Sequence, residues 1–79
     1  MNIDWMEFEP LYLRGNAKYK LKDYRGAIED FTKVIEMNPS ADYAYRGRGL
    51  SKCQLGDFNG GMLDIAITYA KGGDINRAR

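Results

Sequence analysis

"RGNAKYKLKDYRGAIEDF", residues Arg14 to Phe31, returns 34 residues later as "RGLSKCQLGDFNGGMLDI", Arg48 to Ile65. Identities fall at Arg14/Arg48, Gly15/Gly49, Lys18/Lys52, Leu21/Leu55, Asp23/Asp57, Gly26/Gly60 and Asp30/Asp64. These seven exceed the roughly two matches that ordinary residue usage gives over such a period. Tyr24/Phe58 and Phe31/Ile65 are conservative pairs. A repeat of this length is the mark of a helix-turn-helix array.

Local signals place four helices independently of the repeat. Pro10 suits the first turn of a helix α1 at about 9–21, where its missing N–H is not needed. Asp23 and Asp57 can cap α2 (about 24–37) and α4 (about 58–71). Pro39 stops α2, and Ser40 can cap α3 (about 41–55). If α1/α2 and α3/α4 are antiparallel hairpins, Arg14 faces Asp30 and Arg48 faces Asp64, each pair 16 residues apart. Two ion pairs are predicted, each worth at most about 1 kcal/mol if exposed, which makes them devices of register. Gly15 and Gly49 cost helix propensity, about 1 kcal/mol each against alanine, so their repetition predicts close helix approach within each hairpin. Ala27, Ile28, Phe31 and Val34 read as core, with Met62, Ile65 and Tyr69 in the second hairpin.

The residues resemble the tetratricopeptide repeat family, whose pattern is W-x2-L-G-x2-Y, then A-x3-F, then P. Leu11, Arg14, Gly15 and Lys18 occupy the opening positions of a first repeat at about 8–41, and Ala27, Phe31 and Pro39 complete it. A second repeat at about 42–75 supplies Tyr45, Arg48, Gly49 and Lys52, then Gly61 and Ile65. It departs from the pattern with Gly61 at the alanine position and Gly73 at the proline position. The resemblance implies an all-α fold: two antiparallel helix-turn-helix hairpins, four helices, stacked as a short right-handed α-solenoid. Residues 1–79 then form a single domain, with 1–7 as an N-terminal lid and 76–79 as the start of a truncated capping helix. Trp5 and Met6 of the lid, with Phe8 next to it, either pack on the first hairpin or insert into another subunit, and the lid is the preferred reading.

In this family the first helix of each repeat lines a concave surface that holds an extended peptide or a partner helix. The matching positions on α1 are Tyr12, Leu13, Asn16, Tyr19 and Lys20. On α3 they are Tyr43, Arg46, Leu50, Cys53 and Gln54. Tyrosine brings contact area with a polar tip and arginine can grip a carboxylate, so the mixture suits a peptide with acidic or aromatic side chains. The bland alternative is that the tyrosines simply cover core. A chaperone-tail carboxylate clamp, as the resemblance implies it, needs lysine and asparagine on the first helix, asparagine on the third, and further basic residues. Only Asn16 fits, since Tyr12 and Gly47 occupy other positions of that set.

Composition removes most other functions. The 79 residues carry one cysteine, no histidine and a net charge of +1. No disulfide, zinc site, Ser-His-Asp arrangement or P-loop can be assembled, so neither metal nor cofactor is expected and the chain does not read as an enzyme. Neutral balance argues against nucleic acid, although Arg46 and Lys52 around "YRGRG" leave single-stranded RNA as a third reading, with salt-dependent retention as its test. No apolar run approaches the roughly 20 residues that span a bilayer, and the acidic start "MNIDWMEFEP" is no secretory signal, so a cytoplasmic location is expected.

The last helix is the anomaly. Glu29, Lys33 and Glu36, a polar stripe on α2, become Leu63, Ile67 and Ala70 on α4, which past its first turn is left polar only at Asp64, Thr68 and Lys71. A helix apolar nearly all round is normally covered on more than one side. Burying Leu63 and Ile67 is worth about 1.5–3 kcal/mol each. For a domain that buries only about 60% of its unfolded surface, that is large. Leu63, Ile67 and Ala70 are therefore the candidate self-association face, giving a homodimer or higher oligomer. The sequence thus reads as a non-catalytic interaction module for a protein or peptide of unknown identity. Its main alternative is a purely structural fragment of a longer array.

Overall fold

A computed structural model describes the backbone of residues 3–72 and the side chains of residues 10–70. Four helices follow one another: α1 Ile3–Lys20, α2 Tyr24–Met37, α3 Asp42–Gln54 and α4 Phe58–Gly72. Helix α1 pairs with α2, α3 pairs with α4, and the two hairpins stack through α2 and α3. Within the first hairpin, Tyr19 meets Tyr24 near the turn, and Gly15 meets Phe31 further out, as antiparallel helices require.

The turns follow from the sequence. Each first helix ends in a left-handed residue, Lys22 at φ 69° and Gly56 at φ 93°, one repeat apart. Lys22 N–H donates to the Tyr19 carbonyl and Asp23 N–H to the Lys18 carbonyl, at 2.9 and 2.8 Å. Gly56 and Asp57 repeat this with Cys53 and Lys52, at 3.0 and 2.9 Å. The pattern is a Schellman motif, which satisfies carbonyls a helix end would otherwise leave open. Asp23 and Asp57 then start the next helix, their carboxylates accepting from Gly26 N–H at 3.1 Å and Gly60 N–H at 3.0 Å.

Two boundaries differ from expectation. Helix α1 begins at Ile3, so Pro10 lies inside it instead of in its first turn. The missing Pro10 N–H removes one backbone bond of α1, and the turns on both sides of it remain helical. Residues 3–7, expected as part of a lid, continue α1; the packing of Trp5, Met6 and Phe8 lies outside the described side chains, as does the expected capping turn at 76–79. Ser40 does not cap α3: the N-cap is Ala41, without a side-chain bond, and Ser40 N–H donates to Asn38 Oδ1 at 3.3 Å. Ala41 is buried in the core, so packing fixes where that helix starts.

The core is Ala27, Phe31, Val34, Ala41 and Ala44, flanked by Leu11, Tyr12, Tyr19, Ile35 and Tyr43. Phe31 is its centre, held between Gly15 of α1 and Gly47 of α3. A Cβ on either glycine would stand 2.9 or 2.7 Å from the ring. In the second hairpin Gly49 and Gly61 bring α3 and α4 together, since a Cβ on Gly49 would meet the Gly61 carbonyl at 2.7 Å. A Cβ on Gly61 would run into Cys53 Sγ, which explains a glycine where the repeat pattern has alanine. Met62 and Tyr69, expected in the core, are exposed at 58% and 68%. They occupy the face that α3 covers on α2, and on α4 no described helix covers it. Ile28 and Ile65 are half-buried.

Candidate functional site

Both predicted ion pairs form, and each is larger than the sequence implied. Arg14 grips Asp30 with two parallel bonds, Nε to Oδ2 and Nη2 to Oδ1, both at 2.9 Å, and Lys18 Nζ lies 3.4 Å from Oδ2. One repeat later Arg48 grips Asp64 at 2.8 and 3.1 Å, with Lys52 Nζ at 3.2 Å. Asp30 is 1% exposed, and Asp64 is buried too, so the expectation of weak surface pairs does not hold. Hydrogen bonding from Arg14 holds the Asp30 carboxyl below its ordinary pKa against the opposing effect of burial, with help from Lys18. The same bond raises the Arg14 guanidinium further. Lys52, which the sequence set beside Arg46 in the RNA reading, belongs to the Asp64 cluster. The identity Lys18/Lys52 was the signal that carried it. Arg48 also donates from Nη1 to Thr32 Oγ1 at 3.2 Å, tying the second hairpin to the first.

The inner face between α1 and α3 holds a recess of about 190 Å3 lined by Tyr12, Asn16, Tyr19, Tyr43, Arg46, Gly47 and Leu50. Six of the ten expected positions meet there. Tyr12 packs edge-on against Tyr43, ring centres 4.7 Å apart, and tilts over Phe31 at 5.8 Å. The aromatic floor is thus continuous with the core and fixed by it. Arg46 stands exposed at the rim and has no ion pair among the described residues. Leu13, Lys20, Cys53 and Gln54 do not line the recess. Leu13 is 58% exposed to one side, and Cys53 turns its sulfur to Gly61. Gly47 lines the recess without having been expected; it faces Phe31, and only the packing reveals why a side chain is missing there.

On α4, Leu63 is 67% exposed and Ala70 is exposed, whereas Ile67 is half-buried. Phe58, Met62, Ala66 and Tyr69 are exposed as well, so the open apolar face is broader than the three positions singled out from sequence. Among the described residues no group of three His, Cys, Asp or Glu side chains could hold a metal ion, and no helix is long and apolar enough to cross a membrane.

Fold and faces define an all-α protein of two stacked helical hairpins, a small helical repeat. Residues 8–41 match the tetratricopeptide repeat family, so the first hairpin is a tetratricopeptide-like repeat. The chain is also 33% identical, over 61 residues, to the small glutamine-rich tetratricopeptide repeat-containing protein 2 of Mycosarcoma maydis. That match takes in 77% of this chain and 17% of the relative's length. No solved structure matches the chain.

Proposed function

We propose that the chain is a non-catalytic protein–protein interaction module of the tetratricopeptide repeat family, with tandem repeats at about 8–41 and 42–75 forming a short right-handed solenoid. Its inner face, α1 beside α3, takes an extended peptide or a partner helix, and α4 carries self-association. The cytoplasm is the proposed setting. One observation carries the peptide reading: an aromatic recess rimmed by Arg46, a cation with no ion pair among the described residues. Such a site favours a peptide that offers a carboxylate beside an apolar or aromatic side chain. The similarity to the Mycosarcoma maydis protein supports the family and adds nothing about a partner. The uncovered face of α4 also supports a second reading, a structural segment of a longer array with no ligand of its own. The RNA reading loses ground because Arg48 and Lys52 are engaged by Asp64.

Selection of twelve-residue peptides from a random display library, followed by fluorescence polarisation, tests this. Selected peptides are expected to be rich in Asp and Glu and to bind Arg46→Glu at least ten-fold more weakly. Failure to select any peptide, or affinities untouched by Arg46→Glu and Asn16→Ala, would favour the purely structural reading.

A further inference from the structure

The two hairpins meet through one face of α2 and one face of α3. Gly47 sits on the Phe31 ring, Arg48 donates to Thr32, and Ala44 lies in the core. Moving either face by one 34-residue period finds it again, uncovered. On α4 the equivalents of Tyr24, Ile28, Thr32 and Ile35 are Phe58, Met62, Ala66 and Tyr69, all exposed where the α2 set is half-buried. On α1 the equivalents of Ala44, Gly47 and Ser51 are Pro10, Leu13 and Ala17, all exposed, whereas Ala44 and Ser51 are fully buried. The described structure therefore presents an α2-like face on one side and an α3-like face on the other.

We propose that copies of this chain add head to tail, with α4 of one copy seated on α1 of the next in the geometry that joins α2 to α3. The proposal rests on the reading that α4 carries self-association, and it adds the surface that α4 meets. Side-chain sizes at the centre of the contact are complementary. Within the chain the large Phe31 meets a glycine whose Cβ would come within 2.7 Å of the ring. Between copies the smaller Ile65 meets Leu13, so volume lost on one side returns on the other. The Arg48–Thr32 bond has no counterpart, because Ala66 offers no acceptor. Arg14, its side chain 57% exposed, already has Nε and Nη2 on Asp30. Ala66 thus brings no hydroxyl to the place where Thr32 has one. Pairing α4 with α4 would leave the α1 face open, whereas head-to-tail addition covers both. A contact between two different faces does not close on itself in a pair, so the assembly grows beyond the dimer.

Sedimentation velocity on the 79-residue chain, on Leu13→Lys, on Met62→Lys and on their equal mixture decides the matter, with helicity by circular dichroism as the folding control. The wild type is expected to pass twice the monomer mass as concentration rises. Each variant alone stays at the monomer mass. Their mixture forms a 1:1 pair of twice that mass, because Leu13→Lys keeps its α4 face and Met62→Lys keeps its α1 face. Ala17→Glu and Ala66→Arg, at exposed positions of the same faces, repeat the test if either lysine variant loses helicity. A Leu13→Lys protein that still dimerises beside a monomeric Met62→Lys protein would overturn head-to-tail addition while keeping α4 as a self-association face. A wild type that is monomeric throughout would overturn both.

Discussion

Gly47 lies so close to Phe31 that a Cβ placed on it would stand 2.7 Å from the ring carbon Cζ. The ring belongs to the first hairpin and the glycine to the second, so this contact sets how closely the hairpins stack. It also sets the depth of the inner-face recess, which Gly47 lines. Gly47→Ala is expected to destabilise by about 1–3 kcal/mol through overpacking, because the ring has no free side on which to retreat. Urea denaturation measures this, and a gain in stability from the better helix former would contradict the packing described.

Arg48 holds Asp64 with two bonds and reaches Thr32 with a third. Replacing it with methionine preserves the stem but leaves a buried carboxylate with Lys52 alone. A loss of about 3 kcal/mol is expected, since removing one partner strands the other charge. Thr32→Val in the wild-type background removes only the cross-hairpin bond and is expected to cost about 1 kcal/mol. Equal losses in the two variants would mean that the bond to Thr32, not the buried pair, supplies the stabilisation.

Lys22 and Gly56 occupy the same turn position with positive φ, yet only one is glycine. A side chain in the left-handed region costs about 1–2 kcal/mol, partly offset in Lys22→Gly by the greater freedom glycine brings to the unfolded chain. Lys22→Gly is therefore expected to raise stability by about 0.5–1 kcal/mol, and Gly56→Lys to lower it. Thermal unfolding of the two variants checks both signs.

Asp30 has its folded-state pKa lowered by the Arg14 bonds and the nearby Lys18 ammonium. The sign follows from linkage: a depressed carboxyl contributes stability that is fully present above its unfolded pKa, about 3.9, and lost as pH falls through the folded value. Stability measured in urea should decline below about pH 4, and Asp30→Asn should decline less over that interval. Parallel pH profiles for the two proteins would show that the pair does not contribute to acid sensitivity.

The period of 34 made the two hairpins legible, because Asp23/Asp57 and Arg14/Arg48 repeat as caps and as ion-pair partners whose geometry is local. The bounds of α2 were equally open to reading, with a capping aspartate before it and Pro39 after it. What the sequence hid depends on contacts between elements. Whether Asp30 is buried depends on how α1 lies over α2, and whether Met62 and Tyr69 are core depends on a neighbouring helix that the repeat pattern alone does not supply. Gly47 reads as a helix weakness until Phe31 is seen against it. Six of the ten inner-face positions converge because helix spacing puts them on one stripe. Leu13 and Cys53 fall outside it, since Leu13 is turned toward an uncovered edge and Cys53 toward Gly61.

The central claim, that α1 and α3 together form a peptide-binding face, is tested most directly by amide chemical-shift mapping. A peptide from the display selection is titrated into the isotopically labelled chain. The account predicts the largest shifts at Tyr12, Asn16, Tyr43, Arg46 and Leu50, with α2 and the outer face of α4 unmoved. Shifts confined to α2 or α4, or none at saturating peptide, would contradict it.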